Sequence, residues 1–113
     1  MNIQIFGTKK CFETKKAERW FKERRIPYQR IDLAEKGLSK GEFSAVCKAV
    51  GGVDALIDPK AKDQQTLLLF THLREEDREQ KLFENQQLLR TPIVRSGRLA
   101  AVGYRPEVWQ EWK

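Results

Sequence analysis

One cysteine stands in a run of positive charge: Thr8-Lys9-Lys10-Cys11-Phe12-Glu13-Thr14-Lys15-Lys16. The alternating apolar residues Ile3, Ile5 and Phe6 precede it. A segment with Ala17, Trp20 and Phe21 at helical spacing follows. Cys11 is thus expected where a strand turns into a helix. Helix starts carry unpaired backbone N–H groups and the positive end of the macrodipole. Lysines on either side add charge of the same sign. Both features favour the thiolate, the form of cysteine that attacks disulfides and other electrophiles. The same residues also fit a half-buried cysteine with no chemical role.

The remaining chemistry-bearing residues are few. Cys47 recurs with Phe43, Val46 and Val50 at helical spacing, which places it on an apolar helix face and gives it a packing role. Cys11, Cys47 and the single histidine, His72, lack the spacing of a zinc site, so no metal is expected. His72 falls in the middle of the chain, where it reads as a surface residue at a helix start. No glycine loop that could cradle phosphate is present, and Gly7 reads as a turn residue.

Charge and composition set further bounds. The 113 residues carry a formal net charge of +6, from 22 Lys+Arg against 16 Asp+Glu. Residues 9–25 hold eight basic residues against three acidic ones, a net +5. Such a segment attracts anions: a small oxyanion, an acidic peptide or nucleic acid. Most of these lysines are expected to be the solvated face of an amphipathic helix. No aromatic residues are interleaved to stack bases, which argues against direct nucleic-acid binding. With 40% hydrophobic residues, six Phe and three Trp, the chain can bury a core. One domain over 1–113 is expected at this length. No apolar run is long enough for a membrane helix. Met1 runs directly into a strand pattern with no signal peptide, and two cysteines make no disulfide framework; a reducing cytoplasm is the expected compartment.

The elements that must position Cys11 follow in order. Residues 2–6 read as a strand and 12–25 as a helix, stopped by Pro27. Tyr28–Asp32 alternates as a second strand, making a parallel unit with a crossover. Ser39-Lys40-Gly41-Glu42 has the capping-box pattern and Gly51-Gly52 ends that helix. Asp58-Pro59 reads as the cap and first turn of a short helix running into Thr66–Phe70. Arg74 to Glu84 reads as another. Pro92–Arg95 and Leu99–Val102 flank Ser96-Gly97-Arg98 as a hairpin, and Pro106 opens a last helix with Val108, Trp109 and Trp112 on its apolar side. The order is β-α-β, a helical block over about 35–88, then β-β-α.

That order is the thioredoxin-like α/β fold, with a four-stranded mixed sheet and a helical insertion. Three local features sit within it: Cys11 after the first strand, Leu88-Leu89-Arg90-Thr91-Pro92 before the third, and Val102-Gly103-Tyr104-Arg105-Pro106-Glu107-Val108-Trp109 before the last helix. Together they resemble the arsenate reductase (ArsC)/Spx family over nearly the whole chain. The resemblance implies a cis Thr91-Pro92 bond facing Cys11. It implies Cys11 as the nucleophile of a single-cysteine thiol oxidoreductase, with Arg90, Thr91, Pro92, Arg105 and Lys60 around the substrate. No bound cofactor is implied; glutathione is a possible co-substrate, glutathione or a glutaredoxin-like protein the donor, and a small oxyanion such as arsenate a possible substrate. The sequence departs from the glutaredoxin-linked reductases in having Phe12-Glu13-Thr14 after the cysteine and Thr91, not Arg, before the proline. Guanidinium forks suit oxyanions and lysine is a poorer substitute. The alternative implied by the resemblance is a regulator like Spx that docks on the RNA polymerase alpha subunit. Gly52 resembles a glycine of that contact, but Thr14 replaces the second cysteine of the Spx Cys-x-x-Cys switch.

Overall fold

The computed structural model describes residues 2–112; Met1 and Lys113, the ends of the expected domain, lie outside the described residues. Strand β1 is Ile3–Gly7, helix α1 is Phe12–Glu23 and strand β2 is Tyr28–Asp32. The helical block follows, with α2 at Lys40–Val50, α3 at Gln64–Leu69 and α4 at Glu75–Glu84, joined by short 3-10 turns. Strands β3 (Ile93–Ser96) and β4 (Leu99–Val102) and the single-turn helix α5 (Pro106–Trp109) close the chain.

The sheet order is β2-β1-β3-β4. β1 runs parallel to β2 and antiparallel to β3, and β3 is antiparallel to β4. Successive strand side chains point to opposite faces, so β1 feeds two cores. Ile3 and Ile5 join Ala17, Trp20 and Phe21 of α1 and Trp109 and Trp112 of the C-terminal segment. Phe6, with Ile31, Ile93 and Val102, joins Phe43, Val46 and Cys47 of α2 and Leu82 of α4. The helical block therefore covers one face of the sheet, and α1 with α5 covers the other.

The capping box forms as expected. Ser39 Oγ accepts from the Glu42 amide at 3.2 Å, and Glu42 Oε1 accepts from the Ser39 amide at 2.8 Å. These bonds hold the Glu42 carboxyl below the usual range, the Ser39 amide foremost. Gly51 ends α2 at φ 87°, a left-handed position suited to glycine. One helix start differs from expectation. Asp58-Pro59 makes a turn, in which Asp58 Oδ1 accepts from the Lys60 amide, and the helix begins at Gln64. Asp63 is its cap: its carboxylate accepts from the Thr66 amide at 3.1 Å and the Thr66 hydroxyl at 2.6 Å. Two oxygens on two donors outcompete the proline start. His72 is exposed and ends a 3-10 turn instead of starting a helix.

Both cysteines are free thiols. Cys47 is buried in the core under α2, and burial first, then the Glu79 carboxylate, pushes its thiol up to about 11. The neutral form is therefore favoured in the folded state. The unfolded chain ionises this thiol from about pH 9, so this contribution to stability is full below that pH and lost as the pH rises through about 11. In Cys47→Ala, denaturant titrations across that window are expected to give a flatter decline of unfolding free energy than in wild type.

The tightest fit lies where β1 meets α1. A Cβ at Gly7 would stand 2.4 Å from Thr14 Oγ1 and 2.5 Å from its Cγ2, and Thr14 is fully buried. Gly7→Ala is expected to cost about 1–3 kcal/mol by overpacking. Combining it with Thr14→Ala is expected to recover much of that loss, measured as a double-mutant coupling in urea melts.

Candidate functional site

Cys11 is the N-cap of α1, with extended backbone angles of φ −79° and ψ 114°. Its carbonyl accepts from the Lys15 amide at 3.4 Å, which starts the helix. Its side chain makes no capping bond, so the sulfur is free to turn away from the helix. It turns to Thr91, 80 residues further on. The Thr91 hydroxyl donates to Cys11 Sγ at 3.0 Å, and the thiol faces the Thr91 carbonyl oxygen at 3.6 Å. The sulfur thus meets a hydroxyl donor and a carbonyl acceptor of one residue, and lies at the start of α1.

The Thr91-Pro92 bond is cis, as the resemblance implied, and Pro92 is buried. The pairing of β1 with β3 brings this bond to Cys11: Phe6 lies opposite Ile93, so the residues before Ile93 meet those after Phe6. Gly103 fixes the other side, its amide donating to the Pro92 carbonyl at 2.7 Å. Gly103 has φ 85°, and the Arg90 guanidinium lies over it, 3.5 Å from where a Cβ would stand.

The cationic residues separate. Arg90 is exposed, one residue from Thr91, and among the described residues its guanidinium has no carboxylate partner. Arg105 is also exposed, but its Nε donates to Glu107 Oε2 at 2.7 Å, which holds the Glu107 carboxyl below the usual range. Its fork is engaged by its own neighbour. Lys60 is exposed on the Asp58–Ala61 turn. Backbone bonds from Asp58 to Leu88 and from Arg90 to Leu56 lay that segment beside Leu88–Arg90, but the Lys60 side chain makes no hydrogen bond to Cys11 or Thr91. Cys11 and Thr91 are thus in contact, with Pro92 next in the chain; the Arg90 guanidinium lies over Gly103, and neither Lys60 nor Arg105 bonds to Cys11 or Thr91. Among the described residues no cluster of His, Cys, Asp or Glu could hold a metal ion, and no helix is long and apolar enough to cross a membrane.

Two features of the site carry little sequence signal. The sequence pointed to the Thr91 backbone; the contact made by its hydroxyl needed the register of two distant strands. Phe12, next to Cys11, is 75% exposed although helix spacing alone would allow it to pack.

This fold and site define a thioredoxin-like protein with one cysteine before a helix and a cis proline opposite. The ArsC family matches residues 6–112, and the chain belongs to that family. Among its relatives are two proteins named "Global transcriptional regulator Spx 2". The one from Oceanobacillus iheyensis is 27% identical over all of this chain and 94% of its own length. The one from Lactococcus lactis is 30% identical over 93% of this chain and 81% of its own length. The solved arsenate reductase of Vibrio cholerae superposes with a TM-score of 0.81 over 98% of this chain and 97% of its own, at 24% identity. At that identity the likeness is one of fold.

The Thr91 hydroxyl gives a direct test. Thr91→Val removes the donor while keeping the shape. A hydrogen bond to a charged group contributes about 1.5–3 kcal/mol. Alkylation of Cys11 by iodoacetamide at neutral pH is therefore expected to slow roughly tenfold in Thr91→Val, since 1.4 kcal/mol is about one decade, and to stay near wild type in Thr91→Ser.

Proposed function

We propose that the chain is a single-cysteine thiol oxidoreductase of the ArsC type, with Cys11 as the nucleophile. The observation that carries this reading is the Cys11 sulfur at the head of α1, bonded to the Thr91 hydroxyl beside the cis proline. In the proposed step the Cys11 thiolate attacks a disulfide sulfur. A new S–S bond forms, the old one breaks, and the departing sulfur leaves with the electron pair as a thiolate. Position 14 offers no resolving thiol, because Thr14 stands there and is fully buried. A second thiol, glutathione or a glutaredoxin-type protein, must then attack the mixed disulfide and return Cys11 to its reduced form. A small oxyanion such as arsenate, for which the solved Vibrio cholerae protein is named, is the other substrate class. Arg90 would hold it, since its fork is free while that of Arg105 lies on Glu107.

A second reading rests on a different part of the molecule. The two named relatives are Spx regulators, and Gly52, at φ 130°, lines an open groove of about 950 Å³ between the end of α2 and α4. On this reading the groove docks the RNA polymerase alpha subunit and Cys11 is secondary. A pull-down on purified alpha subunit with wild type and Gly52→Ala would support it if only wild type is retained.

Incubation with oxidised glutathione, followed by peptide mass analysis, tests the first reading. One glutathione is expected on Cys11 and none on Cys47, with no adduct in Cys11→Ser. An unmodified Cys11 alongside retention on the alpha subunit would replace the first reading by the second. Sulfate or arsenate titration is expected to lose binding in Arg90→Ala and to keep it in Lys10→Ala; equal weakening in both would mean diffuse charge and no site.

A further inference from the structure

The helix face running on from Cys11 has no part in the steps above. Cys11, Lys15, Glu18 and Lys22 are spaced four, three and four residues apart, which puts them on one side of α1. Lys15, Glu18, Arg19 and Lys22 together line a shallow open groove of about 280 Å³. Lys15, Arg19 and Lys22 are exposed, and among the described residues none lies at ion-pair distance from a carboxylate. The one acid in the groove is already engaged. Glu18 Oε1 accepts from the Tyr28 hydroxyl at 3.0 Å, and its Oε2 faces Arg30 Nε at 3.2 Å. Burial and this bond to Glu18 push the Tyr28 phenol up to about 12, so the phenol stays neutral and adds no opposing charge. The groove therefore presents uncompensated positive charge. Lys9, Lys10 and Phe12, all exposed, flank Cys11 in the chain.

We infer that this face of α1 docks an acidic protein that carries the sulfur exchanged with Cys11. The inference rests on the thiol-exchange reading and names its partner class. Three observations favour a protein over a small thiol or a nucleic acid. From Cys11 to Lys22 the helix rises about 16 Å at 1.5 Å per residue, more than a tripeptide thiol covers once its sulfur is at Cys11. The groove has no aromatic lining on which bases could stack, and all three tryptophans are buried on the other side of α1 or in the C-terminal segment. Phe12 is a single apolar anchor in a charged surround, the composition of a protein–protein contact with a central aromatic residue.

The test uses the full chain and 2-pyridyl disulfides of three synthetic cysteine peptides, identical except for four positions that are Asp, Asn or Lys. The Cys11 thiolate attacks the peptide sulfur, the peptide–pyridyl S–S bond breaks, and 2-thiopyridone departs with the electron pair and is followed by its absorbance. The Asp peptide is expected to react about tenfold faster than the Asn peptide at low salt, in line with electrostatic steering. The Lys peptide should be slowest, and the differences should narrow as salt shortens the screening length. Arg19→Glu/Lys22→Glu is expected to abolish most of the preference while leaving the Asn peptide's rate unchanged, which also reports that Cys11 is intact; Arg19→Glu alone should give a partial loss. If the Asn peptide reacts and the Asp peptide gains nothing, the docking face is refuted and thiol exchange stands. If no peptide reacts with wild type, the exchange reading falls and this inference with it. Retention of a labelled 20-base-pair DNA duplex at physiological salt by wild type and not by the double variant would reassign the face to nucleic acid.

Discussion

The antiparallel register of β1 against β3 is the constraint on which the rest depends. Phe6 opposite Ile93 is one pairing among four, yet it sets what stands beside Cys11. A slip of one residue would turn each side chain of β3 to the other face of the sheet. Ile93 would leave the core under α2, and Val94 the core under α1. Both cores therefore enforce this register, and the register brings Thr91 within 3.0 Å of a sulfur 80 residues away. The site is held by packing that has no chemical role of its own.

Gly7 and Thr14 act in the same way at closer range. With no Cβ at position 7, the first turn of α1 settles against the end of β1, and Thr14 is sealed beneath it. The third residue after the cysteine is thus committed to packing. In the proposed thiol exchange, a partner for Cys11 has to come from outside, over the exposed residues around it. That is consistent with the contrast between the two thiols: Cys47 is enclosed and kept neutral, while Cys11 is half-buried with one edge towards solvent.

Positive charge is plentiful in this chain, but its availability differs from residue to residue. Arg105 is spent on Glu107, Arg78 is tied to Asp54 and to the Phe70 carbonyl, and Arg95 is turned to Gln4. Arg90 and the α1 stripe of Lys15, Arg19 and Lys22 have no such partners among the described residues. Anion recognition is better judged from these unpaired groups than from the net charge of the chain.

The sequence by itself determined the elements and their order, because these are local. Alternation in Ile3–Phe6 and Tyr28–Asp32, the Ser39–Glu42 box, the Gly51 stop and Pro106 at a helix start each act within a few residues. It also placed Cys11 at the strand-to-helix junction. Local reasoning erred at Asp58-Pro59, where a turn formed and Asp63 took the cap, because two cap signals competed and only the geometry of the Thr66 bonds decides between them. Tertiary structure alone decided which partners Cys11 and the arginines meet. The Thr91 hydroxyl reaches the sulfur through strand pairing across 80 residues, and Arg105 is lost to a neighbour whose rotamer no spacing rule contains. Residue types limit which interactions a chain can make, but long-range register and side-chain competition select among them, and neither leaves a periodic trace in the sequence.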